Sequence, residues 1–255
     1  YKWTDRGEVI GTTIGIPYSA IDPAPYFDAS GNLWLSFGSG YIFKPTQPQI
    51  FEIRLNNSTG LRADNVVYPV SNGHEEASYV YHHGSYYYLF WNTGGCCSGA
   101  ASTYLIHVAR STSVTGPYVG SSGAANSSNT FLASHGNVHG PGQIGILDQG
   151  GVSYYSYHYY PASGYSVLGE GVLNWSASGW PIASSGVITV VPQPTATVQA
   201  TPTKTAQATP TKTVQPTPTA TVQATPTTPS SITLSGSIGT HDPSRIIKDG
   251  NRYYF

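Results

Sequence analysis

The chain has 255 residues, with 11 Lys and Arg against 12 Asp and Glu, a formal net charge of -1. That balance excludes the basic surface that phosphate backbones select, so no nucleic-acid partner is expected. No apolar run approaches the ~20 residues of a membrane-spanning helix, so no membrane partner is expected either. Charged residues make up 9% of the chain, against roughly 25% in ordinary soluble domains, and the polar surface must come from Ser, Thr, Asn, Gly and Tyr instead. There is no Met, and the sequence opens at Tyr1 and stops at Phe255 in strand-like sequence, which reads as a fragment of a longer chain.

In chain order, residues 1–191 show short alternating runs of Tyr, Val, Ile and Trp bounded by Gly, Asn, Asp and Ser, the pattern of antiparallel strands. Three stretches, 21–37, 76–90 and 142–157, share one design: a short strand, a turn containing Gly31, Gly84 or Gly151, and an aromatic strand. Their turn glycines stand 53 and 67 residues apart, the size of a propeller blade. The expected class is all-β, a β-propeller with blades around a channel; a sandwich is the rival, because spaced hairpins do not fix closure. From 192 to 229 the composition changes: of 38 residues 14 are Thr and 8 are Pro, with no Gly and no aromatic. Such a segment cannot bury enough surface to offset the entropy of ordering, so an extended, disordered linker is expected. Residues 241–255, inside a final stub of 230–255, repeat the hairpin design around Gly250.

Counting back from the turn glycines places Asp22, Glu76, Gln143 and Asp242 at the start of the four first strands. In a propeller the innermost strands line the axis, so these positions are expected to converge on one mouth. Three carboxylates gathered in a chain with 12 acidic residues repel one another and push their pKa values apart. Hydrolysis of a glycosidic bond needs one carboxyl kept protonated and another ionised, and aromatic faces such as Trp34 suit stacking on sugar rings. Among eight His no metal-ligand spacing appears, and no nucleotide motif is present, so no organic cofactor is expected. Cys96-Cys97 reads either as a vicinal bridge in an oxidising compartment or as two buried thiols.

Several motifs together resemble the endo-α-1,5-L-arabinanases of glycoside hydrolase family 43. Tyr18-Ser19-Ala20-Ile21-Asp22-Pro23 with Gly31-Asn32-Leu33-Trp34-Leu35-Ser36-Phe37 resembles the family's third blade. Glu75-Glu76-Ala77-Ser78-Tyr79, Cys96-Cys97, Ser102-Thr103-Tyr104 and Gly116-Pro117-Tyr118 resemble the fourth, and Gly140-Pro141-Gly142-Gln143, His158-Tyr159-Tyr160 and Gly179-Trp180-Pro181 the fifth. Thr240-His241-Asp242-Pro243 is similar to a first-blade start.

The resemblance implies a five-bladed β-propeller, incomplete here, that hydrolyses arabinan or arabino-oligosaccharides with inversion. Glu76 matches the general acid, Asp22 the aspartate that orients it and raises its pKa, and Asp242 the general base, with Glu75 as a neighbouring decoy. Ile21, Trp34, Asn92 and Gln143 are expected around the substrate, and His158 matches a ligand of an axial calcium ion, although Pro161 stands where the family has an Asp. By chain order, 1–191 holds about three blades of one module and 230–255 opens a second, so Asp242 belongs to that second module and the isolated chain is expected to be inactive. Secretion to the extracellular space is expected with this class. The alternatives are a non-catalytic carbohydrate-binding propeller and an exo-acting arabinofuranosidase or xylosidase.

Overall fold

A computed structural model of the chain describes residues 5–12, 19–38, 50–71 and 75–184, and the backbone of two short strands near the C-terminus. Twelve strands form three four-stranded antiparallel sheets, each a meander in sequence order. The first blade is β1 (Ala24–Phe27), β2 (Leu33–Phe37), β3 (Phe51–Leu55) and β4 (Tyr68–Pro69). The second is β5 (Glu76–His83), β6 (Tyr86–Thr93), β7 (Leu105–Ser111) and β8 (Asn129–Leu132). The third is β9 (His139–Gln149), β10 (Val152–Tyr160), β11 (Val167–Trp175) and β12 (Pro181–Ala183). These are blades of the expected propeller. Around Gly250, β13 (Ile247–Asp249) and β14 (Arg252–Tyr254) pair antiparallel as the sequence design requires. Asp242 and the 192–229 linker lie outside the described residues.

The second blade buries both faces because it is sandwiched between the other two. Tyr26, Trp34 and Ile50 of the first blade meet Val80, Tyr87, Leu89 and Trp91 of the second. Tyr79, Phe90 and Val108 on the opposite face of the second blade meet Ile144, Ile146, Tyr155 and Tyr157 of the third. Backbone glycines make the third blade close enough to pack: a Cβ on Gly171 would sit 2.4 Å from the Tyr155 ring, and one on Gly169 2.4 Å from that of Tyr157. The ladder pairs these residues, Tyr155 with Gly171 and Tyr157 with Gly169, so each ring lies across the strand beside it.

Polar ties join the blades as well. Ser36 Oγ donates to Ser78 Oγ at 2.7 Å, Tyr79 OH to the Ile146 carbonyl at 3.1 Å and Tyr81 OH to Asp148 at 2.7 Å. At the turn end, Arg110 lies between the rings of Tyr86 and Trp180, 4.2 and 4.4 Å from their centroids, and donates to the Ser178 carbonyl.

Glu52 of β3 is fully buried where the first two blades meet, beside Tyr26 and Tyr118. Tyr26 OH donates to its Oε2 at 2.9 Å, and the Ser36 hydroxyl lies close enough to add to that pull. Burial pushes its pKa up to about 8 from an ordinary 4.5, against the opposing pull of its hydrogen bonds. The carboxyl is therefore neutral in the folded chain while the unfolded chain ionises it, so its contribution to stability is complete below the ordinary pKa and is lost as pH rises towards the folded value. Urea unfolding should show Glu52→Gln gaining on the wild type, by on the order of 3 kcal/mol between about pH 5 and about pH 8. Parallel pH profiles for the two proteins would contradict this.

Candidate active site

The innermost strand of each blade begins with the same irregularity. In the first blade Ala24 pairs with Ser36 and Gly38 N–H donates to the Ile21 carbonyl, so residues 22–23 oppose Phe37 alone. In the second, the pairs Tyr79–Phe90 and Glu76–Asn92 leave 77–78 opposite Trp91; in the third, Gly145–Ser156 and Gly142–His158 leave 143–144 opposite Tyr157. Each is a two-against-one bulge, and its first residue is left-handed: Asp22 at φ 51°, Ala77 at 56° and Gln143 at 54°. None of the three is glycine, so surrounding contacts hold each in a conformation that L-residues disfavour.

This register corrects the count from the turn glycines. Asp22 and Gln143 are equivalent to Ala77, and Glu76 is equivalent to Ile21 and Gly142, one residue earlier. The count slipped because the glycines hold different places in their turns: Gly31 is the fourth of five residues between Phe27 and Leu33, Gly84 the first of the two-residue turn Gly84-Ser85, and Gly151 the second of Gly150-Gly151.

Offset by that residue, the Asp22 carboxylate reaches the backbone beside Glu76. Asp22 Oδ2 accepts the Ala77 N–H at 3.1 Å, so the aspartate of one blade holds the left-handed residue next to Glu76 in the following blade. Glu76 Oε1 accepts a hydrogen bond from Tyr104 OH at 2.6 Å. Tyr104 lies against Gly142, where a Cβ would be 2.4 Å from its ring, and stacks at 6.1 Å on His158. Asn92, which faces Glu76 in the ladder, donates to the Leu105 and Pro141 carbonyls at 2.9 and 3.1 Å and accepts Gln143 N–H at 3.0 Å. The second and third blades thus repeat the device of the first two, with an amide replacing the carboxylate. Tyr104 went unassigned in the sequence reading; its motif Ser102-Thr103-Tyr104 was visible, but nothing local shows which carboxylate its hydroxyl reaches.

Other expected residues fall elsewhere. Ile21 is 41% exposed beside Asp22, at the open end of the first blade. Asn92 is wholly buried, so it acts as a tie between blades and not as a direct sugar contact, and Gln143 is 6% exposed. Trp34 is not at this end at all. It pairs with Tyr26 next to the turn, is buried between blades, packs at a tilt against the Tyr68 ring and donates Nε1–H to Asp28 at 2.9 Å; the expectation of a sugar platform is corrected to a core role. Glu75 is buried, and burial raises its pKa against a hydrogen bond from Ser71.

His158 is also fully buried, between Tyr104 and Tyr160. Calcium takes six to eight oxygen ligands, and among the described residues no group of three or more His, Cys, Asp or Glu gathers to hold a metal ion. The expected ion would be held by His158 together with waters, and no chemistry is derived through it. Asp242 lies outside the described residues, so its place relative to Glu76 is not assigned.

The amide of Asn92 satisfies three groups at once, and its loss should leave the Leu105 and Pro141 carbonyls and the Gln143 N–H without it. Asn92→Ala is expected to cost about 3 kcal/mol in urea unfolding, more than an ordinary single hydrogen bond. A loss below about 1 kcal/mol would show that the tie is dispensable.

Comparison with known proteins agrees with this architecture. Residues 2–181 match Glycosyl hydrolases family 43. The chain is 36% identical over 199 residues to the probable arabinan endo-1,5-alpha-L-arabinosidase A of Aspergillus flavus, covering 70% of this chain and 60% of that relative. Among solved structures it is similar to an exo-1,5-alpha-L-arabinanase from a bovine ruminal metagenomic library, with TM-score 0.67, 26% identity and coverage of 73% and 64% of the two chains. The Cellvibrio cellulosa alpha-L-arabinanase complexed with arabinohexaose gives TM-score 0.65, 27% identity and coverage of 72% and 63%. The chain therefore spans about three fifths of the length of such relatives. With its blades, its bulged inner strands and this match over most of its length, the chain belongs to glycosyl hydrolases family 43.

Proposed function

We propose that the protein to which this chain belongs cleaves internal α-1,5-L-arabinofuranosidic bonds of arabinan by a single displacement with inversion. The observation that carries this reading is the placement of Glu76: its carboxyl is held by Tyr104 OH, and the backbone beside it by the Asp22 carboxylate of the preceding blade. A carboxylic acid fixed in this way can protonate a leaving oxygen along one direction. In the proposed reaction Glu76 gives its proton to the glycosidic oxygen as the bond from that oxygen to the anomeric carbon breaks. A water attacks the anomeric carbon from the opposite face and loses a proton to a second carboxylate, the role assigned to Asp242, with the two carboxyls roughly 6.5–9.5 Å apart to admit the water. Asp22 acts on Glu76 through position, by holding the Ala77 N–H beside it.

The relatives named above include both endo and exo enzymes acting on 1,5-linked arabinan, and the endo reading follows the curated relatives, which are the more similar in sequence. Extracellular placement belongs to the same proposal: Cys96 and Cys97 form a disulfide, which suits an oxidising compartment, and among the described residues no helix is long and apolar enough to cross a membrane.

In the complete protein, Glu76→Gln should lower turnover of linear arabinan by about a thousandfold with little change in KM, whereas Glu75→Gln should leave it near the wild type. The reverse pattern would move the acid to Glu75, and near-normal turnover in both would remove the hydrolytic assignment. Tyr104→Phe should lower kcat by roughly tenfold, since it deletes the hydrogen bond that fixes the Glu76 carboxyl.

A further inference from the structure

The loop 94–103 joins β6 to β7 at the end of the second blade where Glu76 lies, and it is tightly built. Gly95 N–H donates to Thr103 Oγ1 and Thr103 N–H to the Gly95 carbonyl, both at 2.9 Å, and Ser98 N–H donates to Ser102 Oγ at 3.0 Å. A 3-10 turn, Gly99–Ala101, follows the disulfide between the adjacent Cys96 and Cys97. Cys96 is half-buried and Cys97 is exposed with a left-handed φ of 67°. The loop runs directly into Tyr104, whose hydroxyl holds Glu76.

The matching loop of the third blade, 161–166, touches it. A Cβ on Gly99 would sit 3.1 Å from the Gly164 carbonyl oxygen, so the two loops meet at their backbones. The residue after that contact is Tyr165, 81% exposed and the most exposed of the large apolar side chains among the described residues. Tyr165 stands almost wholly in solvent, and Cys97 is exposed in a loop whose flanking residues are Gly and Ser. A flat aromatic ring and a polarizable two-sulfur plate on touching loops, beside a candidate acid, have the chemistry that receives the C–H face of a sugar ring while leaving its hydroxyls to water.

We propose that Tyr165 and the Cys96–Cys97 disulfide form a rim subsite for an arabinofuranosyl unit of the substrate chain beyond the bond that Glu76 serves. This rests on the arabinan reading of the preceding subsection. The disulfide fixes the loop so that its sulfurs face the sugar, and Tyr165 supplies the opposing ring. The subsite rewards long chains over short ones, because a disaccharide fills the centre without reaching the rim.

The test is calorimetric titration of the complete protein to which this chain belongs with arabinohexaose and with arabinobiose, for the wild type, Tyr165→Ala and the double variant Cys96→Ser/Cys97→Ser. Each variant should weaken arabinohexaose by about tenfold and arabinobiose by less than about twofold. A mild reductant should give the wild type the affinity of the double variant and leave the double variant unchanged. Tyr165 is solvent-facing, so its variant decides the matter even if the cysteine pair proves necessary for folding. Unchanged affinity in Tyr165→Ala, or equal weakening of both sugars, overturns the rim while the arabinan reading stands. Failure of the wild type to bind either sugar overturns that reading, and the rim with it.

Discussion

The structure depends on a left-handed residue at the start of each inner strand. An ordinary ladder would use the N–H of that residue within its own blade; the bulge turns it out of register and offers it to a neighbour. Asp22 takes the N–H of Ala77, and Asn92 takes that of Gln143. Each capture offsets conformational strain with a hydrogen bond across a blade boundary, so the candidate site and the joint between blades are one construction. Glu76 owes its place to this arrangement, one residue before the kink and opposite Asn92.

The same economy of charge runs through the fold. With few ionic side chains available, tyrosine does double duty: Tyr155 and Tyr157 fill the space above glycines in the next strand, and Tyr79, Tyr81 and Tyr104 carry hydroxyls to partners in other strands. A ring gives buried area and its hydroxyl gives direction. Where a true carboxylate is buried instead, at Glu52, the interior keeps it neutral, and a tyrosine supplies its hydrogen bond.

The blades were legible because hairpins announce themselves locally, by alternation and by glycine at a turn. Asp22 and Glu76 were legible as a pair because both fall near the start of an inner strand. Their true relation was not, since Gly31 is the fourth residue of its turn and Gly84 the first of a shorter one, and only the strand pairing shows the offset. Trp34 was misread because its sequence neighbours resemble those of a binding residue, whereas its place beside the turn is set by pairing with Tyr26 and by the Asp28 carboxylate. Asn92 and Tyr104 show the remaining limit: their partners lie 13 to 51 residues away, a separation that no local pattern encodes.

The way the blades are joined has a bearing on the surroundings they tolerate. Apart from Arg110 and the Tyr81 hydroxyl on Asp148, the ties described between blades run from hydroxyl or amide donors to neutral acceptors or to one partly buried carboxylate, Asp22. Mobile ions screen attraction between separated charges and leave short neutral hydrogen bonds and apolar contacts almost untouched. A propeller fastened in this manner keeps its grip across wide swings of ionic strength.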